Sequence, residues 1–140
     1  MTKLQQLLAV LLLITSHQVS AGEKACHVTK VIDGDTVWVL CGTVKEKVRL
    51  TIIDSFEKSK NNRAFKQAYQ QKLPIEEVVR RGKLASTYTT KELLNKDVVV
   101  KFNDKNSKDQ YGRTLGEIYI GSVDINIKLL SDHPDVFLKY

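Results

Sequence analysis

Three short patches carry the residue types that metal and phosphate chemistry use. The first is Asp33-Gly34-Asp35-Thr36, two acids around a glycine. The second begins at Arg49, crosses the mostly apolar Leu50 to Ile53 and reaches Asp54, Ser55, Phe56 and Glu57, so that two carboxylates three apart stand at what reads as a strand end. The third, Asp109-Gln110-Tyr111-Gly112-Arg113, is a turn signal that delivers an arginine just past a glycine. Carboxylates ligate hard cations and accept a proton from water, while the arginine fork matches the paired oxygens of a phosphate. Taken singly, these patches read as ordinary turns and a solvated strand end. The chemistry is legible only in their combination.

The elements that must position them are mostly strands. HVTKVIDGDTVWVL places two β-rich stretches around Asp33-Gly34, a strong hairpin signal. With Asp33 and Gly34 as the two loop residues, Cys26 lies across from Cys41. A bridge there closes the open end of the hairpin, with a bulge or one-residue slip to ease its geometry; two free thiols are the alternative. Lys47 to Ile53 reads as a third strand, and Val98 to Phe102 and Leu115 to Ile120 as two more, the last pair separated by a polar loop from Asn103 to Asp109. Lys58 to Lys72 has helical spacing, Pro74 ends it, and a longer helix follows from Ile75 to Asn95 with Gly82 as its weak point or start. Five strands with one main helix predict an α+β domain that is mainly β: a five-stranded oligonucleotide-binding (OB-fold) barrel packed against one long and one or two short helices.

Composition sets the bounds. The 140 residues are 42% hydrophobic with 7 glycines, which excludes disordered, collagen-like and coiled-coil chains. The net charge of +6 favours a polyanionic partner. Residues 1–21 read as a secretory signal: Lys3, then the apolar Leu7 to Ile14, then Val19-Ser20-Ala21 before the cleavage point. The apolar run is too short to span a bilayer, for which roughly 20 residues are needed. The expected mature chain, residues 22–140, carries a net +5 and enters an oxidising compartment, secreted or periplasmic, where a disulfide persists.

Together, VIDGDTV at 31–37, VRLTIIDSFE at 48–57, GKLASTYTTKELL at 82–94 and DQYGRTLGEIYI at 109–120 resemble the staphylococcal nuclease (thermonuclease) family in order and placement. The resemblance implies a Ca2+-dependent nuclease, an endonuclease and hydrolase of DNA and RNA that leaves 3′-phosphate ends. A monomer is the default expectation, with no membrane partner once the signal is cleaved. Carried over residue by residue, Asp35, Asp54 and the Ser55 carbonyl are calcium ligands, Glu57 is the general base, Arg49 and Arg113 hold the scissile phosphate, and Tyr111 lies beside the substrate. Several positions depart from the family. Phe56 replaces a proline, which is expected to loosen the loop holding Glu57, and Gln110 replaces a lysine beside the phosphate. About a dozen extra residues follow Glu57, a basic segment in which Phe65 or Tyr69 could stack on bases. Asn126 falls at a structurally important helix asparagine, but the chain then runs SDHPDVFLKY to Tyr140, short of the family's last helix. Either the inserted segment replaces that packing, or the domain is a truncated relic. The competing class is a non-catalytic OB-fold nucleic-acid-binding module; such a module has no reason to keep Asp35, Arg49, Asp54, Glu57 and Arg113 together. His27 and His133 are read as ordinary residues.

Overall fold

The computed structural model describes residues 22–102 and 108–140. The expected signal, residues 1–21, and most of the loop at 103–109 lie outside the described residues. Strands β1 (Glu23–Asp33) and β2 (Thr36–Cys41) form the expected hairpin. Its two loop residues are Gly34 and Asp35, one position later than the turn signal suggested, because Asp33 pairs with Thr36. Two irregularities in β1, between Val28 and Lys30 and between Val31 and Asp33, absorb that shift. By Val28↔Val39 and His27↔Leu40 the register is the expected one, and Cys26 and Cys41 are bonded at the open end.

Strand β3 (Val44–Leu50) pairs with β2, β5 (Asp97–Phe102) pairs with β1, and β6 (Thr114–Ile120) pairs with β5. A parallel contact of β6 with β3 closes the ring in the order β3-β2-β1-β5-β6. The inward positions Val28, Val37, Val39, Val48, Val100 and Ile118 are fully buried, the alternation a closed five-stranded barrel demands. Lys47 to Ile53 is not one continuous strand. The backbone enters the left-handed region at Ile52 (φ 63°), which is unfavourable for a β-branched residue, and the following β4 (Ile53–Ser55) leaves the barrel. It pairs instead with β8 (Phe137–Lys139), and the Tyr140 amide donates to the Ile52 carbonyl at 2.8 Å.

Three helices pack on this frame. Helix α1 (Asn62–Gln71) is capped by the Asn61 side chain, which accepts from the Ala64 amide. Pro74 precedes α2 (Ile75–Leu93), whose buried residues Val78, Gly82, Ala85, Thr89 and Leu93 follow helical spacing. The helix runs unbroken through Gly82, which is a point of close packing rather than a weak point. After the short β7 (Val123–Asp124), Asp124 caps α3 (Ile125–Asp132) by accepting from the Asn126 and Ile127 amides. Asn126 is fully buried: its carbonyl accepts from the Ile118 amide, and its amide group donates to the carbonyls of Thr51 and Gly116.

The C-terminal residues are part of the fold. Val136 and Phe137 enter the barrel core, while Leu138 packs on a second small cluster made by Phe56, Ala64 and Val78. His133 stacks on Tyr88 of α2 with ring centroids 3.6 Å apart. Helix α1 packs on α2 through this second cluster, and β8 covers the edge of β4.

Candidate functional site

The site forms where the β1–β2 turn, β4, the start of α1 and the start of β6 meet. Arg49, at the end of β3, is buried and fixed. One guanidinium nitrogen, Nη1, donates to the carbonyls of Leu50 and Ile53, the latter at 2.8 Å. The other, Nη2, lies 3.0 Å from Asp54 Oδ1 and 3.4 Å from Asp35 Oδ2. One arginine therefore draws together two carboxylates that are 19 positions apart in the chain.

Asp35 is nearly inaccessible and fully engaged. Its Oδ2 accepts from the Ser55 amide at 3.1 Å, and its Oδ1 accepts from the Thr36 hydroxyl at 2.9 Å. Burial opposes its ionisation, but Arg49 and hydrogen bonds from Asp33, Asp54 and Thr36 hold its carboxyl below the usual range. The neighbours carry the cost of that charge. Burial and then the Asp35 charge push Asp33 up to about 7, and burial together with contact with Asp35 raises Asp54. The charge in the cluster is thus concentrated on Asp35, beside Arg49.

Arg113, the first residue before β6, is held by Asp109, whose Oδ2 accepts from its Nε at 2.6 Å. Its Nη1 donates to the Thr36 hydroxyl oxygen at 3.3 Å, so Thr36 links Arg113 to Asp35. Two amides from the same turn, those of Tyr111 and Arg113, donate to Asp109, and with Arg113 they keep its carboxyl low despite burial. Tyr111 itself is 70% exposed and lies 5.3 Å from the Arg113 guanidinium.

Glu57 follows β4, and the loop that bears it is braced from two sides. Gln67 of α1, itself buried, accepts from the Glu57 amide at 2.9 Å and donates to the Ser55 carbonyl at 3.2 Å. Asn61 donates to Glu57 Oε2 at 3.3 Å. From α2, Gly82 lies against the same loop; a Cβ on it would fall 2.3 Å from the Glu57 carbonyl oxygen. Phe56 is buried in the second cluster and packs this loop against Ala64 and Val78. Gly34 makes a comparable close approach, its Cβ position lying 2.6 Å from Ala85 Cβ, and its carbonyl accepts from the Thr89 hydroxyl.

These side chains line two adjoining hollows. A cavity of about 100 Å³ is bordered by Asp33, Asp35, Ser55, Glu57, Arg63 and Arg113. A wider groove of about 760 Å³ is bordered by Arg49, Arg63, Lys66, Tyr111, Arg113 and Tyr140. Arg63 and Arg113 border both. Every residue expected at the site is brought to this one region, and sequence reasoning missed Thr36, Asn61, Arg63 and Gln67 as its supports. Asn61 carried a signal as a helix N-cap; Gln67 carried none, since its role depends on which strand α1 packs against. The basic run at 58–81 is paired in part: Lys60 pairs with Glu76, and Arg80 and Arg81 share Glu77. Phe65 and Tyr69 are exposed one turn apart on α1.

Among the described residues no group of three or more His, Cys, Asp or Glu side chains is arranged to hold a metal ion. A zinc-type site is not indicated there. Two carboxylates with a backbone carbonyl fit a cation that completes its shell with water and substrate oxygens. The Ser55 carbonyl has a second lone pair beyond the one Gln67 occupies.

A closed five-stranded barrel with three helices, carrying two arginines and a carboxylate cluster at one rim, defines an OB-fold protein. A family model described as staphylococcal nuclease homologue matches residues 47–132, a span that includes Arg49, Asp54, Glu57 and Arg113. The chain belongs to that family. It is 35% identical over 105 residues to a thermonuclease of Staphylococcus intermedius, covering 75% of this chain and 54% of the relative. It is 33% identical over 113 residues to a thermonuclease of Staphylococcus hyicus, covering 81% and 59%. An uncharacterized endonuclease of Haemophilus influenzae is 33% identical over 129 residues, covering 89% and 58%. The chain thus spans somewhat over half the length of these curated relatives.

Proposed function

We propose that this protein is a calcium-dependent phosphodiesterase that hydrolyses DNA and RNA and leaves 3′-phosphate ends. The observation that carries the reading is the convergence of Asp35, Glu57, Arg49 and Arg113 from four separate segments on one small cavity and its groove, with Asp54 held beside them by Arg49. Bound at Asp35, Asp54 and the Ser55 carbonyl, calcium supplies positive charge beside a phosphate oxygen. The remaining work falls to the chain. Glu57, fixed by Gln67 and Asn61, takes a proton from a water that attacks phosphorus. Arg113 offers donors to the phosphate oxygens as negative charge builds up, while Arg49, whose Nη1 and Nη2 are taken by the Leu50 and Ile53 carbonyls and by Asp54 and Asp35, contributes its positive charge and not the paired donors expected of it. The new bond joins water oxygen to phosphorus, the bond to the 5′ oxygen breaks, and that oxygen takes up a proton from solvent.

The wider groove is read as the path of the flanking nucleotides, with Tyr111 beside the phosphate and Lys66 along the backbone. Phe65 and Tyr69 offer further stacking surfaces on α1. The hydrophobic segment at 7–14 and the Cys26–Cys41 bond support export to a secreted or periplasmic setting, where the protein acts as a monomer. Among the described residues no helix is long and apolar enough to cross a membrane.

The test is incubation of the oxidised protein with plasmid and with RNA, in calcium and in chelator. Cleavage that requires calcium, and that falls by orders of magnitude in Arg113→Ala and in Glu57→Gln while both variants stay folded, is the expected result. Nucleic-acid binding without cleavage by a folded sample would replace this reading with the non-catalytic module.

A further inference from the structure

Helix α1 does more than brace the Glu57 loop, because it places a second guanidinium, beside that of Arg49, on the site carboxylates. Arg63 Nη2 lies 3.1 Å from Asp54 Oδ1 and 3.4 Å from Asp54 Oδ2, and its Nε lies 3.3 Å from Glu57 Oε1. One planar group therefore spans the proposed cation ligand and the proposed base. Asp54 Oδ1 receives Arg49 and Arg63 together. The two arginines differ in freedom. Arg49 has 8% of its side chain exposed and is tied to two backbone carbonyls, whereas Arg63 is 51% exposed and its hydrogen bonds run to Asp54.

We propose that Arg63 is a resident counter-ion of the carboxylate site, which a divalent cation must displace from Asp54 in order to bind. With Arg63 in place, both Asp54 oxygens face a guanidinium, and a cation arriving there meets a like charge within a few ångströms. Arg49 cannot yield without breaking its buried bonds, so the half-exposed Arg63 is the group that moves. Arg63 borders both the small cavity and the wider groove, so on leaving Asp54 it remains among the groups that face an incoming phosphate. Cation and nucleic acid then bind with positive coupling, because each favours the arrangement with Arg63 turned away from Asp54. The inference rests on the calcium reading above.

The experiment is calorimetric titration of calcium into the wild-type protein, Arg63→Gln, Lys66→Gln and Asp54→Asn, with circular dichroism to confirm folding. Arg63→Gln is expected to tighten calcium binding by roughly fivefold, the scale of a half-exposed ion pair. Lys66→Gln, which removes the same charge one turn along α1, is expected to change it by less than about twofold. A purely structural role for Arg63 predicts the opposite sign, since loosening the Glu57 loop weakens binding. Unchanged or weaker calcium binding by folded Arg63→Gln, or equal tightening by Lys66→Gln, overturns the inference while leaving the cation site standing, provided that Asp54→Asn abolishes binding. Absence of calcium binding in both wild type and Arg63→Gln removes the site and the inference together.

Discussion

Glu57 and Gln67 illustrate how a reactive group depends on a silent one. The Glu57 carboxylate was legible from its spacing to Asp54, but its position is set by a glutamine ten residues later that accepts from its amide. Gln67→Leu removes both bonds from a buried position, leaving the Glu57 amide and the Ser55 carbonyl unpaired. It should cost about 1–3 kcal/mol of stability. A shifted base should lower kcat by about tenfold to a hundredfold, measured by steady-state cleavage beside a denaturant melt; unchanged kcat in a folded variant would remove Gln67 as a positioning residue. Asn126 is the corresponding structural case, bonded to backbone groups of Thr51, Gly116 and Ile118. Asn126→Ala strands the Ile118 amide and the Thr51 and Gly116 carbonyls. A loss of about 2–4 kcal/mol in chemical unfolding is expected.

At the scale of elements, α2 and β8 decide the shape of the site loop. Gly82→Ala sets two effects against each other. Alanine is the better helix former by about 1 kcal/mol, but its Cβ would lie 2.3 Å from the Glu57 carbonyl oxygen and 2.7 Å from that of Phe56. Backbone atoms cannot step aside as a flexible side chain does, so overpacking of about 1–3 kcal/mol should win. The variant is predicted to melt lower and to cleave more slowly, and a higher Tm would show that the loop yields freely. Strand β8 acts from the other side by pairing Asp54 with Leu138 and Ser55 with Phe137. Ending the chain at Val136 exposes the β4 edge and removes Phe137 from the core. Lower stability and a larger fractional loss of activity than of folded protein are expected, read by activity per folded molecule.

For the whole molecule, the disulfide and the charge act through different states. The Cys26–Cys41 bond closes a loop with a sequence separation of 15, so reduction should cost about 3 kcal/mol, mainly by freeing the unfolded chain. That is a large share of a small domain's total of about 5–15 kcal/mol. Reduced protein at 25 °C is nevertheless expected to keep its kcat, because the bond lies at the opposite end of the hairpin from Asp35; a matched fall in kcat would tie the bond to the site. The net charge of +6 already subtracts the acids, so the pairing of Lys60, Arg63, Arg80 and Arg81 arranges that charge without reducing it. Added salt should therefore raise KM, and Lys66→Gln should flatten that slope.

Alternation of apolar residues, turn residues and a proline at a helix start are local signals, and they were enough to place five barrel strands and both longer helices; the acids and arginines of the candidate site were picked out only by the combined resemblance of several segments to one family. The local signals also reached the disulfide, because a hairpin's far end is set by counting, even though two bulges moved its turn by one residue. They could not show that Ile52 turns the chain out of the barrel, that Phe56 packs its loop against Ala64 and Val78, or that Gly82 is packing rather than a weak point. Nor could they place Arg63 on Asp54 and Glu57. Each of those depends on which segments meet across the molecule: β4 with β8, α1 with the Glu57 loop, and α2 with its backbone. Residue types by themselves determined what chemistry was available. Tertiary contact decided which groups stand beside one another, because distance between charges and donors, not their order in the chain, sets how they act.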